Sequence, residues 1–110
     1  MIFIWGEKID SILSSGISLE NIGVKNWALE RDAALRAIKE LEDLGVAILG
    51  GDVFEQSEGA ARQTYDNWYC EQKAGESELD FLKRSCRNAE IYVSTWPKAD
   101  ALFAIVPNAR

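Results

Sequence analysis

The stretch Val46-Ala47-Ile48-Leu49-Gly50-Gly51-Asp52-Val53-Phe54-Glu55, followed by Tyr65-Asp66-Asn67-Trp68-Tyr69-Cys70-Glu71, decides the fold. Val46 to Leu49 is a short apolar run of the kind that opens a buried strand. Glu55-Gln56-Ser57-Glu58-Gly59 supplies turn chemistry, and the chain can return as a second strand from about Gln63 to Glu71, so the two stretches predict a hairpin. Period-two alternation on the return strand sets Thr64, Asp66, Trp68 and Cys70 on one face and Tyr65, Asn67, Tyr69 and Glu71 on the other. Trp68 and Cys70 are expected inside. Glycine weakens a strand interior, so Gly50 and Gly51 are assigned a structural part: a bulge, or a place where another group comes close.

Outward from the hairpin, Ala34, Ala37, Ile38, Leu41 and Leu44 form one face of a helix of about four turns that stops at Gly45. Before it, Val24 to Leu29 reads as a brief strand or as the first turn of that helix, and the strand is preferred; Trp27 within it is assigned a structural part. Ile17 to Val24 reads as a loop with apolar anchors. Trp5, Ile9, Ile12 and Leu13 predict a short amphipathic helix stopped by Gly16. Beyond the hairpin, Ser77-Glu78-Leu79-Asp80 resembles a cap, and Leu79, Leu82, Cys86, Ala89, Val93 and Trp96 predict a helical core face running to Pro97. Ala101 to Val106 is apolar throughout, which predicts a strand inside the sheet. The expected architecture is α+β: a mostly antiparallel sheet of three or four strands, with a central hairpin, covered by about three helices.

At 110 residues the chain is expected to be one domain, and with 47% hydrophobic and 27% charged residues it has the composition of an ordinary globular protein. The opening Met1 to Lys8 lacks a basic start followed by a long apolar run, and no apolar run elsewhere is long enough to span a bilayer, so a cytosolic protein without a membrane partner is expected. Cys70 and Cys86 are then expected as reduced thiols. The chain has no histidine, which removes the usual general base and the commonest metal ligand. Neither a metal nor another cofactor is expected.

The net charge of −6 is unevenly placed. Asp52 to Asp80 carries eight acids and two bases, while the remaining residues carry ten of each. A segment of this kind repels phosphates, which argues against a nucleic-acid partner, and favours a basic protein. The plain alternative is a solvated charged face. Asp52, Glu55, Asp66 and Glu71 are also the carboxylates that acid–base hydrolysis would require, were they to converge. Trp68 is expected to pack. Tyr65 and Tyr69 share a half-polar face with Asn67 and Glu71, and aromatics ringed by acids are what a docking surface for a basic protein needs. Asp52, Glu55, Tyr65, Asn67, Tyr69 and Glu71 are therefore the candidate partner-binding residues. A small carboxylate-dependent hydrolase and a regulatory protein-binding module are the alternatives.

Asn26-Trp27-Ala28-Leu29, then a helix, then Ile48-Leu49-Gly50-Gly51-Asp52-Val53-Phe54, then Tyr65-Asp66-Asn67-Trp68-Tyr69-Cys70 resembles the immunity protein 40 family of bacterial polymorphic toxin systems. The resemblance implies a small cytosolic protein, encoded beside a secreted or contact-delivered toxin, that binds its cognate toxin domain and blocks it without doing chemistry. Asp52, Asn67, Trp68 and Tyr69 match the family's words. Phe54 stands where a tyrosine is expected, so no polar contact is expected from that position.

Overall fold

A computed structural model describes residues 2–109; Met1, at the head of the opening stretch read above, lies outside the described residues. The described chain runs α1 (Glu7–Leu13), β1 (Ile17–Ser18), a 3₁₀ turn (Glu20–Ile22), β2 (Trp27–Glu30), α2 (Arg31–Leu44), β3 (Ile48–Ser57), β4 (Ala60–Tyr69), α3 (Glu78–Thr95) and β5 (Ala101–Pro107). The strands form one antiparallel sheet in the order β1-β2-β5-β3-β4. The α+β class and the three helices agree with the sequence, but the sheet has five strands where three or four were expected. The additional strand is β1, whose residues Ile17 and Ser18 pair with Ala28 and Trp27 in what reads as a loop. Gly16 explains why the two strands come so close, because a Cβ there would lie 2.5 Å from the Ala28 carbonyl oxygen. It does not stop α1, which ends at Leu13.

Helices α2 and α3 lie on one face of the sheet, and the main core fills the space between. Ala34, Ala37, Ile38 and Leu41 of α2 and Cys86, Ala89 and Val93 of α3 meet Leu29, Ile48, Val53, Ala101, Phe103 and Ile105 from the strands. Gly45 ends α2 in the left-handed conformation at φ 82°, which glycine adopts without a Cβ clash. Ser77 caps α3 as expected, its hydroxyl accepting from the Asp80 amide at 3.1 Å. The core stripe of α3 keeps the predicted Cys86, Ala89 and Val93 inside, with Leu82 and Trp96 packed against them, but differs at its start. Phe81 and Ser85 are buried, while Leu79 is 57% exposed. Ser85 is satisfied there because its hydroxyl accepts from the Ile48 amide at 3.0 Å. Arg31 ties the two helices together, donating from one nitrogen to the Val93 carbonyl at 2.6 Å and from the other to the Lys98 carbonyl at 2.8 Å.

On the other face of the sheet a smaller cluster forms from Leu19, Ala28, Phe54, Leu102 and Ala104, with Val24 packed against it. The segment around the 3₁₀ turn therefore covers the middle of this face. Asn26 anchors its base, donating its side-chain amide to the Ile105 carbonyl at 2.9 Å while its side-chain oxygen accepts from the Trp27 amide at 2.7 Å. Trp27 is half-buried against the main core, 6.5 Å from the ring of Trp5. Among the described residues no helix is long and apolar enough to cross a membrane.

Candidate functional site

The hairpin is longer than its sequence suggests. Its turn is confined to Glu58 and Gly59, both at positive φ, so Gln56 and Ser57, which read as turn residues, pair with Ala61 and Ala60. Two successive left-handed residues match the twist of the flanking strands, as two-residue hairpin turns require. At the other end of β3 the register with β5 slips between Ile48 and Gly50, and Gly50 adopts φ 151° at this bulge. Gly51 meets a different demand, because the Trp68 ring lies where its Cβ would stand. Of the two readings of the Gly-Gly pair, the bulge describes Gly50 and close approach describes both, since a Cβ on Gly50 would run into the Trp68 carbonyl.

Trp68 continues as the first ring of an aromatic stack. It lies 4.6 Å from Tyr92, which lies 5.5 Å from Trp96, the residue just past the end of α3. Trp68 is only half-buried, less than expected, and its buried indole Nε1 has no hydrogen-bond partner among the described residues. Burial first, and the charge of Asp66 second, raise the pKa of the Tyr92 hydroxyl. That hydroxyl sits 3.5 Å from the Asn67 carbonyl oxygen. Cys70 is buried as expected, but it lies one residue past the end of β4.

The candidate binding residues divide between the two faces. Asp52 stands opposite Asn67, and Gly50 stands opposite Tyr69 two rungs along, the next pair on the same face. Strand alternation places Asp52, Asn67 and Tyr69 away from the helices, whereas Val53 and Trp68 face them. Asp52 is half-buried, and burial raises its carboxyl pKa. Tyr69 is 77% exposed. Tyr65 is 83% exposed at φ 68°, an uncommon conformation for a bulky residue. Its setting explains it: Val53 alone faces Thr64, Tyr65 and Asp66 across the hairpin. The Thr64 hydroxyl holds this irregularity, donating to the Val53 carbonyl at 2.9 Å and accepting from the Asp66 amide at 3.2 Å.

Glu55 is three residues along from Asp52 and so faces the helix side, where it pairs with Arg62. Glu71 is exposed beyond the end of β4. Of the four carboxylates singled out for acid–base chemistry, Glu55 and Asp66 line one cleft on the helix side together with Lys98 and Asp100, while Asp52 and Glu71 lie elsewhere. Cys70 and Cys86 are both free and buried.

Sequence reasoning missed a polar knot that fixes the exit of the hairpin. Arg84 donates to both carboxylate oxygens of Glu76 at 2.7 Å, to the Glu71 carbonyl at 2.6 Å and to the Cys70 sulfur at 3.1 Å, and Asn88 donates to the same sulfur at 3.4 Å. The Arg84 side chain, with help from the Lys73 amide, holds the Glu76 carboxyl down at about 2. Nothing in the spacing of Glu76 and Arg84 marks them as partners across a loop and a helix turn. With Glu55 and Glu76 paired, the acids of the charged segment that have no ion pair among the described residues are Asp52, Glu58, Asp66, Glu71, Glu78 and Asp80.

Fold and surface together describe a small α+β domain whose outer hairpin exposes Tyr65 and Tyr69 and carries Asp52, Asn67 and Tyr69 on the side the helices leave free. The sequence profile described as immunity protein 40 matches residues 18–107. The chain belongs to that family, as its Gly-Gly-Asp-Val and Asn-Trp-Tyr words indicated. No curated protein and no solved structure matches it.

Proposed function

We propose that this immunity protein binds the toxic domain encoded beside its own gene and neutralises it by occupying a functional surface, without catalysis and in the cytoplasm. The observation that carries the reading is the exposure of Tyr69, at 77%, and Tyr65, at 83%, near acids that have no ion pair among the described residues. Two large rings held in solvent on an ordered hairpin lose little side-chain entropy on binding, and burying them supplies the area a hot spot needs. Asp52 and Asn67 lie beside Tyr69 and supply polar specificity. Asp66 and Glu71 add negative potential that speeds encounter with a basic partner. Glu55, engaged by Arg62 on the helix side, belongs to the rim of this surface at most.

The test is co-expression with that toxic domain, scoring survival and then co-purification. Rescue accompanied by a stable complex is the expected result. Toxicity that persists while both proteins are soluble would refute the reading. The electrostatic part has its own check, since association should slow as salt rises from low to physiological ionic strength.

A further inference from the structure

β4 is the outer strand of the sheet: among the described residues it pairs with β3 on one side and with no strand on the other. Natural edge strands of this length are blunted with proline, lysine or a covering element. β4 has neither proline nor lysine, and its one base, Arg62, is engaged by Glu55. Its device is the irregularity at Thr64 to Asp66, which bends the strand and leaves a regular stretch beyond it. In that stretch the Cys70 amide donates to the Leu49 carbonyl at 2.8 Å, so Trp68, two residues back, also points its backbone groups toward β3. Alternation then turns the N–H and C=O groups of Asn67 and Tyr69 outward. Apart from the Tyr92 hydroxyl at 3.5 Å from the Asn67 oxygen, no protein group meets them among the described residues.

An edge of this kind accepts a strand, and charge selects which one. If a second copy paired antiparallel about Trp68, Asp66 of each copy would face Cys70 and Glu71 would face Tyr65, which sets the Asp66 and Glu71 carboxylates of the two copies one position apart at each end of the joint. Two edges of the same negative potential repel, which opposes that arrangement. An extended segment bearing lysine or arginine meets the same acids favourably. We propose, building on the toxin-binding reading, that the outward edge of Asn67 to Tyr69 takes a basic strand of the toxin domain as a sixth strand of the sheet. Backbone hydrogen bonds to Asn67 and Tyr69 supply register, and the Tyr69 ring and the flanking acids supply selectivity.

The experiment is residue-resolved amide exchange on the full chain, free and in complex with the toxic domain encoded beside its gene. In the free protein the Asn67 and Tyr69 amides should exchange freely while those of Trp68 and Cys70 are protected. In the complex the first two should slow by at least ~100-fold, as amides newly held in a sheet do. Asn67→Pro removes one outward donor from an edge position where proline is tolerated, and it should weaken binding at least ~10-fold with the fold intact by circular dichroism. A complex that leaves the Asn67 and Tyr69 amides unprotected overturns strand addition while the toxin-binding reading stands. Absence of any complex with the wild-type protein overturns both.

Discussion

Replacing Trp68 by alanine tests how the hairpin is held to the helices. The ring fills the space over Gly51 and stacks on Tyr92 at 4.6 Å. A half-buried indole hides roughly 120 Å² of apolar surface, which at 25 cal/mol per Å² is about 3 kcal/mol. Losing the stack adds about 1 kcal/mol. Against this, the buried Nε1 has no partner, and deleting it returns about 1 to 2 kcal/mol. The expected net destabilisation is about 2 to 3 kcal/mol, below the ~3 to 5 typical of a fully buried aromatic. In urea unfolding this moves the midpoint down by about 1 to 2 M with the slope unchanged. Trp68→Phe keeps a ring on Tyr92 and removes the unpartnered N–H, so it should lie within about 1 kcal/mol of wild type. An unchanged midpoint for Trp68→Ala, or equal losses for the two variants, would refute the account.

Tyr69→Ala should leave the urea midpoint nearly unchanged, because the side chain is 77% exposed, yet weaken toxin binding about 30-fold, as a hot-spot truncation does; titration calorimetry with the toxic domain measures this. Glu76, held at about 2 when folded against a usual 4.5, contributes stability that is present above pH 4.5 and lost as pH falls toward 2. Glu76→Gln should therefore flatten the acid limb of a stability–pH curve across that window. Burial, with Glu42 nearby, pushes the Cys86 thiol up from 9.0 to about 11, so the preference for the folded state that it confers is lost as pH rises from 9 to 11. Cys86→Ala should remove that alkaline limb, and in the native protein Cys86 should react with a thiol reagent only at the rate of unfolding. Glu58→Asn should raise stability by about 0.5 to 1 kcal/mol, because Glu58 sits at φ 53° beside Gly59 and asparagine favours that conformation in a two-residue turn.

The helices and the long strands were legible because each carries a periodic apolar pattern. Ala34, Ala37, Ile38 and Leu41 recur at the helical period, and Gly45 stops them; β5 is apolar along its length and lies between two strands. The pairing of β1 was not legible, since two residues cannot display alternation and Ile17 and Ser18 are both exposed. The hairpin tip misled for a related reason. Gln56 and Ser57 have turn-like side chains, but in an exposed hairpin arm the ladder is made by backbone groups, and side-chain polarity does not oppose it. The α3 stripe was legible at Cys86, Ala89 and Val93 but not in its first turns, where Phe81 and Ser85 face inward and Leu79 does not. Ser85 is polar, yet the Ile48 amide makes its burial favourable, and a hydrophobic pattern has no means of registering that bond.

The candidate site was legible only as far as strand parity holds. Parity correctly separates Trp68, under which Gly51 has to be bare, from Asn67 and Tyr69 on the free face. The same rule sends Asp52 and Glu55, three residues apart on one regular strand, to opposite faces, and grouping them by charge overlooked it. Parity ends at Thr64 to Asp66, where three residues face one and Tyr65 turns into the left-handed region. Holding a tyrosine there costs on the order of 1 to 2 kcal/mol. The fold tolerates that cost because the Thr64 hydroxyl fixes both sides of the irregularity. In return the irregularity bends the outer strand, keeps Tyr65 in solvent, and leaves Asn67 to Tyr69 as the regular edge next to the acids. The local strain and the proposed docking edge are therefore consequences of one feature. Deleting a residue from Thr64 to Asp66 to shorten the irregularity should stiffen the hairpin and abolish toxin binding together; a variant so shortened that still binds would show the two to be separable.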